Sequence, residues 1–302
     1  MVSLQIRISG ISLVHPLLNA SGILGSNKEG VNLLALMGFS GIVTKTFTKK
    51  PRKGYDPPII VPLEYGFLNA VGLANPGIDK VKEVIEAAHR HGLPVIVSIG
   101  GQNPDDFAYL AGKAEEAGAD VLELNMSCPH TPGYGIDMTT TDRLLREIAS
   151  SVKSVVKIPV WAKLGYSKRL IKEAEILLSE GIDALVLINT LPGMVIDVYV
   201  GKPILSNKYG GLSGPAIHPV AVYSVYKVYQ EFRCDIIGVG GVHDWKTLVE
   251  MLMAGARAVQ IGTAIISSND KLLVKRILED LSKYMEERGF KDINELIGYA
   301  LD

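Results

Sequence analysis

Residues 94–125 read "PVIVSIGGQNPDDFAYLAGKAEEAGADVLELN". The segment opens on a continuous apolar run, "PVIVSIG" (94–100), short and rich in β-branched residues, as a strand buried on both faces requires. "NPDD" then places Asn103 as an N-cap and Pro104 in the first turn of a helix. After that helix a second apolar run, "DVLELN" (120–125), completes a strand–helix–strand unit. Such a unit joins two parallel strands of one sheet.

The same unit recurs from one end of the chain to the other. Strands are expected at "PLLNA" (16–20), "GIVTKT" (41–46), "PVIVSIG", "DVLELN", "PVWAKL" (159–164), "ALVLIN" (184–189), "DIIGVG" (235–240) and "AVQIGT" (258–263). Amphipathic helices separate them, one of which, "DKVKEVIEAAHRHG", has an acidic start and a glycine stop. Eight such units define an α/β chain folded as a (β/α)8 TIM barrel, with a doubly wound open sheet as the alternative. Three segments stand outside the repeat. Residues 4–14 read as an N-terminal β-hairpin that closes the bottom of the barrel. Residues 47–78 and 191–215 follow strands and are expected as inserted loops at the C-terminal face, where such barrels carry their active sites. With no linker-like stretch, residues 1–302 read as a single domain.

Composition narrows the function. At 47% hydrophobic and 21% charged residues the chain can bury a large core. Its 31 basic and 32 acidic residues leave a net charge of −1 with no basic block, which argues against a nucleic-acid surface. No apolar run reaches membrane-spanning length and the N-terminus lacks a secretory pattern, so a cytoplasmic protein is expected. The two cysteines, Cys128 and Cys234, fit a reducing compartment. They cannot hold an iron–sulfur cluster or a four-ligand zinc site, and no metal is expected.

In a barrel the C-terminal ends of the strands share one mouth, and here those ends are polar: "NASG", "TKT", "NMSC", "AKLG", "INT", "GVGG" and "IGTA". Gly240 and Gly241 after the seventh strand, with Gly262 and Thr263 after the eighth, could present backbone N–H groups to a phosphate; the bland alternative is tight turns. Lys45 and Lys163 end apolar strands, where an ammonium needs an anionic partner unless it snorkels to solvent. A reduced flavin or a substrate carboxylate would supply that charge. Asn69, Asn125 and Asn189 offer the paired donor and acceptor that match a ring edge of alternating C=O and N–H groups. Asn19 and Asn75 are expected only to tie loops together. Cys128 is the one candidate base, under a Gly/Pro-rich loop able to close over it; otherwise it is a small buried hydrophobe, the reading given to Cys234. No dinucleotide fingerprint or Walker loop is present.

Taken in order, "LNASG", "VTKT", "LNAVGLANPG", "ELNMSCPH", "AKL", "INTLPGM", "GKPILSNKYGGLSGPAIHP", "GVGGV" and "VQIGTA" resemble the class 1 dihydroorotate dehydrogenases over nearly the whole chain, and most of all the class 1B catalytic subunit. The resemblance implies an FMN-binding barrel that oxidises (S)-dihydroorotate to orotate in pyrimidine biosynthesis. Cys128 would remove the C5 proton while hydride leaves C6 for flavin N5. Lys45 would touch flavin and substrate, and Lys163 the N1/C2-carbonyl side of the flavin. Asn69, Val71, Gly72, Leu73, Asn125, Asn189 and Thr190 would line the orotate pocket. Ala20, Ser21, Gly22, Thr46, Asn125, Ile188 and Gly214 would hold the flavin, with Gly240, Gly241, Gly262 and Thr263 on its phosphate. Class 1B further implies a partner subunit carrying FAD and a 2Fe-2S cluster, a homodimeric core and a heterotetramer, although fumarate or another acceptor could serve directly. Two departures bear on substrate. His130 stands where the family has asparagine, so "SCPH" also resembles the dihydropyrimidine dehydrogenases, and Ser98 replaces an asparagine near the flavin. A non-catalytic electron-transfer subunit is the third reading.

Overall fold

A computed structural model describes residues 2–126, 141–268 and 270–301. Cys128 and His130 lie outside the described residues.

The hairpin of β1 (Ile6–Ile8) and β2 (Ile11–Leu13) precedes the repeat. The first unit is β3 (Leu17–Asn19), α1 (Lys28–Leu36) and β4 (Ile42–Val43). The first insertion contributes β5 (Ile60–Leu63) and β6 (Gly66–Asn69). The repeat resumes as α2 (Val81–His89), β7 (Val95–Ile99), α3 (Pro104–Glu116), β8 (Val121–Asn125), α4 (Asp142–Lys153), β9 (Val160–Leu164), α5 (Leu170–Ser179) and β10 (Ala184–Leu187). The second insertion holds β11 (Leu191–Gly193), β12 (Ile196–Asp197), β13 (Lys202–Pro203) and β14 (Gly210–Ser213). The chain ends with α6 (His218–Phe232), β15 (Ile236–Val239), α7 (Trp245–Met253), β16 (Ala258–Ile261), α8 (Thr263–Ser267) and α9 (Leu273–Arg288).

All eight expected strands form one parallel sheet, ordered β3-β16-β15-β10-β9-β8-β7-β4. An open sheet would leave β3 and β4 at opposite edges. Instead they meet, and the ladder between them is replaced by a side chain. Asn19 Oδ1 accepts from Val43 N–H at 2.9 Å while its Nδ2 donates to Val43 C=O at 2.7 Å, and Ser40 donates from both N–H and Oγ to Leu17 C=O. A primary amide reproduces the donor–acceptor pair of a peptide, so one buried asparagine closes the barrel where the backbones diverge.

The strands are buried on both faces, which is why they read as unbroken apolar runs rather than alternating ones. Asn103 caps α3 by accepting from Asp106 N–H at 2.9 Å, with Pro104 as its first residue, as its sequence requires. The N-terminal hairpin does close the bottom: its turn residue Ser9 accepts from the Trp161 indole and donates to Asp235 and Asp183, which immediately precede β15 and β10. At the opposite end the two insertions merge into one antiparallel sheet, ordered β11-β14-β6-β5, around a small core of Leu68, Ala70 and Leu205. That sheet stands over the barrel mouth and forms one wall of the site. No helix among the described residues is long and apolar enough to cross a membrane.

Candidate active site

A cavity of about 600 Å³ opens where the strands end, a size suited to a small organic ligand. It is lined by Ala20, Ser21 and Gly22 beyond β3, Lys45 and Thr46 beyond β4, Asn125 of β8, Lys163 of β9, and Ile188, Asn189 and Thr190 beyond β10. Gly240 and Gly241 beyond β15 and Gly262 and Thr263 beyond β16 complete the barrel side. The covering sheet and its flanks supply Asn69, Val71, Gly72, Leu73 and Gly214. Every described residue singled out from the sequence as a site residue therefore lines one cavity. Sequence reasoning missed its apolar wall, to which Leu33, Met37, Phe67, Ile265 and Ile266 contribute, because ordinary helix and loop residues carry no local signal of facing a cavity.

The two lysines differ. Lys163 is 5% exposed and its Nζ donates to Gln260 Oε1 at 3.2 Å, with Glu123 Oε1 3.9 Å away. Gln260 Nε2 in turn donates to Glu123 Oε2 at 2.7 Å, so the three side chains form a polar cluster inside the barrel. The anionic partner expected for Lys163 is thus already part of the chain, and Glu123, fully buried in "VLELN", was overlooked. Its signal is the one used for the lysines, a lone charge inside an apolar strand. Lys45 Nζ, by contrast, has no hydrogen bond or ion pair among the described residues. Burial without a counter-charge holds its ammonium below the ordinary lysine range.

The amides divide into structural and ligand-facing groups. Asn19 seals the barrel seam. Asn75 links Thr48, Leu73 and Gly77, so it is a loop tie as expected. Asn125 donates through Nδ2 to Thr46 Oγ1 at 3.0 Å, but its Oδ1 is buried with no hydrogen-bond partner among the described residues. An unsatisfied buried acceptor on a cavity wall fits a ligand that brings an N–H. Thr46 Oγ1 also meets Ser98 Oγ at 3.0 Å and Ser21 Oγ at 3.4 Å. Ser98 is fully buried and acts by holding Thr46. Asn69 donates to Gly211 C=O at 3.1 Å across the β6–β14 pair, and Asn189 Oδ1 accepts from Thr190 N–H at 2.8 Å. Cys234 is far from this chemistry: burial pushes its thiol up to about 11, an inert side chain.

At the β15–β16 end the glycines are required by the backbone. Gly240 and Gly241 have φ of +137° and +71°, and a Cβ on Gly241 would lie 2.7 Å from both Gly214 O and His218 Cβ. The Gly241 N–H has no acceptor among the described residues. Thr263 opens α8, where the Thr263 and Ala264 N–H groups have no acceptor among the described residues, while Ile265 N–H donates to Gly262 C=O at 3.0 Å. These features fit an anion such as a phosphate.

A parallel (β/α)8 barrel with a covered mouth, two lysines, ring-matching amides and a glycine cradle is a ligand-binding barrel suited to a planar group that bears a phosphate. Comparison with known proteins specifies it further. The chain belongs to the dihydroorotate dehydrogenase family, whose model matches residues 3–285. It is 43% identical to the "Dihydroorotate dehydrogenase B (NAD(+)), catalytic subunit" of Thermoplasma volcanium, over 100% of this chain and 99% of that protein. The protein of the same name from Pyrococcus horikoshii is 42% identical over 99% of this chain and 98% of its own length. A relative in Aeropyrum pernix, provisionally named dihydroorotate dehydrogenase A (fumarate), is 43% identical over 98% and 97%.

Proposed function

We propose that this chain, acting as a single barrel domain, oxidises (S)-dihydroorotate to orotate in pyrimidine biosynthesis, with FMN bound in the cavity. The observation that carries the proposal is the convergence of the sequence-singled residues on one cavity in a chain matched by the family over residues 3–285. When bound, FMN would accept the hydride lost from substrate C6. The chain's own residues do the rest. Asn69, Asn125, Asn189 and Thr190 hold the substrate's ring edge, beside Val71, Gly72 and Leu73. Lys45, desolvated and without a counter-charge among the described residues, pairs with the substrate carboxylate. Lys163 gives the flavin's pyrimidine side a fixed positive charge. Cys128, three residues beyond Asn125 at the end of β8, takes the C5 proton as a thiolate. Proton and hydride together account for the two hydrogens removed.

Electrons leave by a partner subunit carrying FAD and a 2Fe-2S cluster, in a heterotetramer built on a homodimer of this chain. The words "NAD(+)" and "catalytic subunit" in the names of the Thermoplasma and Pyrococcus relatives support the partner subunit of that reading.

Anaerobic addition of dihydroorotate to the purified yellow protein should bleach the flavin absorbance. A protein that bleaches with dihydrouracil but not with dihydroorotate would overturn the substrate assignment, and a colourless protein that fails to take up FMN would overturn the cofactor.

A further inference from the structure

Beneath the glycine cradle lies a histidine that no step of the proposed reaction uses. His218, the first residue of α6, is 7% exposed. Its Nδ1 is 2.8 Å from Gly240 O, and its Nε2 is 2.8 Å from Glu250 Oε2 on α7. A carbonyl oxygen can only accept, so the proton of the first contact sits on Nδ1. The Glu250 carboxylate on Nε2 holds the ring from its other side and fixes its orientation toward Gly240 O.

Gly240 C=O and Gly241 N–H belong to the same peptide unit. That peptide is not among the cis bonds of the chain, so its two dipolar ends point in opposite directions. One end is held by His218, which does not line the cavity. The other end is the Gly241 N–H, on a residue that lines the cavity and without an acceptor among the described residues. Glycine at φ +71° turns freely unless something fixes it. A donor on the carbonyl both fixes the orientation and polarises the N–H, because hydrogen bonds in series strengthen one another.

We infer that Glu250 and His218 are positioning residues that lock the Gly240–Gly241 peptide with its N–H aimed at the phosphate of the flavin, and so set the chain's preference for phosphorylated over unphosphorylated flavin. This rests on the proposed phosphate cradle.

The test is the ratio of riboflavin to FMN dissociation constants, measured by flavin fluorescence on flavin-stripped protein. In His218→Leu the ratio should fall about tenfold through weaker FMN binding, with riboflavin binding nearly unchanged. His218→Asn, whose amide nitrogen can take the place of Nδ1, should restore most of it. Glu250→Gln, at a side chain 59% exposed and replaceable without threatening the fold, should lower the ratio about threefold. Equal weakening of both ligands in the leucine variant, or an unchanged ratio in all three, would overturn the relay while leaving the cradle intact. Wild-type protein that binds riboflavin as tightly as FMN would instead overturn the cradle, and the relay with it.

Discussion

Asn19→Ala should open the barrel at its seam. The Asn19 side chain is wholly buried and supplies both bonds that join β3 to β4 through Val43, at 2.9 and 2.7 Å. Alanine removes both partners at once, leaving a buried N–H and a buried C=O on Val43 unsatisfied. At about 1–3 kcal/mol for each orphaned group, the loss should be about 2–6 kcal/mol. Guanidinium unfolding of the flavin-free protein, followed by circular dichroism, would register it as a lower midpoint with an unchanged slope. Asn19→Asp should be no better than alanine, since a carboxylate can accept from Val43 N–H but faces Val43 C=O with a second acceptor. Flavin affinity should fall as well, because Ala20, Ser21 and Gly22 leave one side of the seam and Lys45 and Thr46 the other. A stability within about 0.5 kcal/mol of wild type would mean that the Ser40–Leu17 bonds and the packing close the barrel unaided, and the reasoning would fail.

Three further outcomes follow from the site. Cys128→Ser should retain FMN yet slow anaerobic flavin reduction by dihydroorotate at least about 100-fold, the low end for a general base, and an unchanged rate would remove the cysteine from the chemistry. Glu123→Gln strips the neighbouring carboxylate from a lysine only 5% exposed and should cost about 3–5 kcal/mol in chemical denaturation, most of it recovered when Lys163→Met is added; an uncosted single variant would show that the pair is not ionised. Lys45→Met should make the flavin-free protein more stable at neutral pH. Because burial lowers the Lys45 pKa, the unfolded chain binds more protons there, so wild-type stability rises with pH up to the ordinary lysine range and the gap between the two proteins closes; a gap flat in pH would contradict the assignment.

The eight strands were legible because each is a short β-branched run buried on both faces, a pattern that needs no knowledge of its neighbours. The site was legible because a barrel brings its strand ends together, so residues scattered from Ala20 to Thr263 could be gathered without knowing any distance. What escaped the sequence depends on contacts across the fold. β6 and β14 pair Asn69 with Gly211, and the glycine-rich "GGLS" of β14 shows none of the alternation that marks a strand. Asn19 was expected to tie loops, but it joins two barrel strands, because its partner is Val43 of β4 and that meeting of the first and second strands is not encoded locally. Gln260 reaches Lys163 and Glu123 from β16, across the barrel interior, a relation that no spacing in the chain encodes.

The two lysines bear most directly on substrate choice. In sequence they are alike, each a cation at the end of an apolar strand, and either one could have met an anionic ligand. In the folded chain Glu123 and Gln260 occupy Lys163 from within, which lowers its net pull on a second anion. Lys45 has no such neighbour among the described residues and bears the cost of its own desolvation. A ligand carboxylate at Lys45 would relieve that cost, whereas a neutral dihydropyrimidine would leave it in place. The field of the cavity therefore favours a ring that carries an acid group.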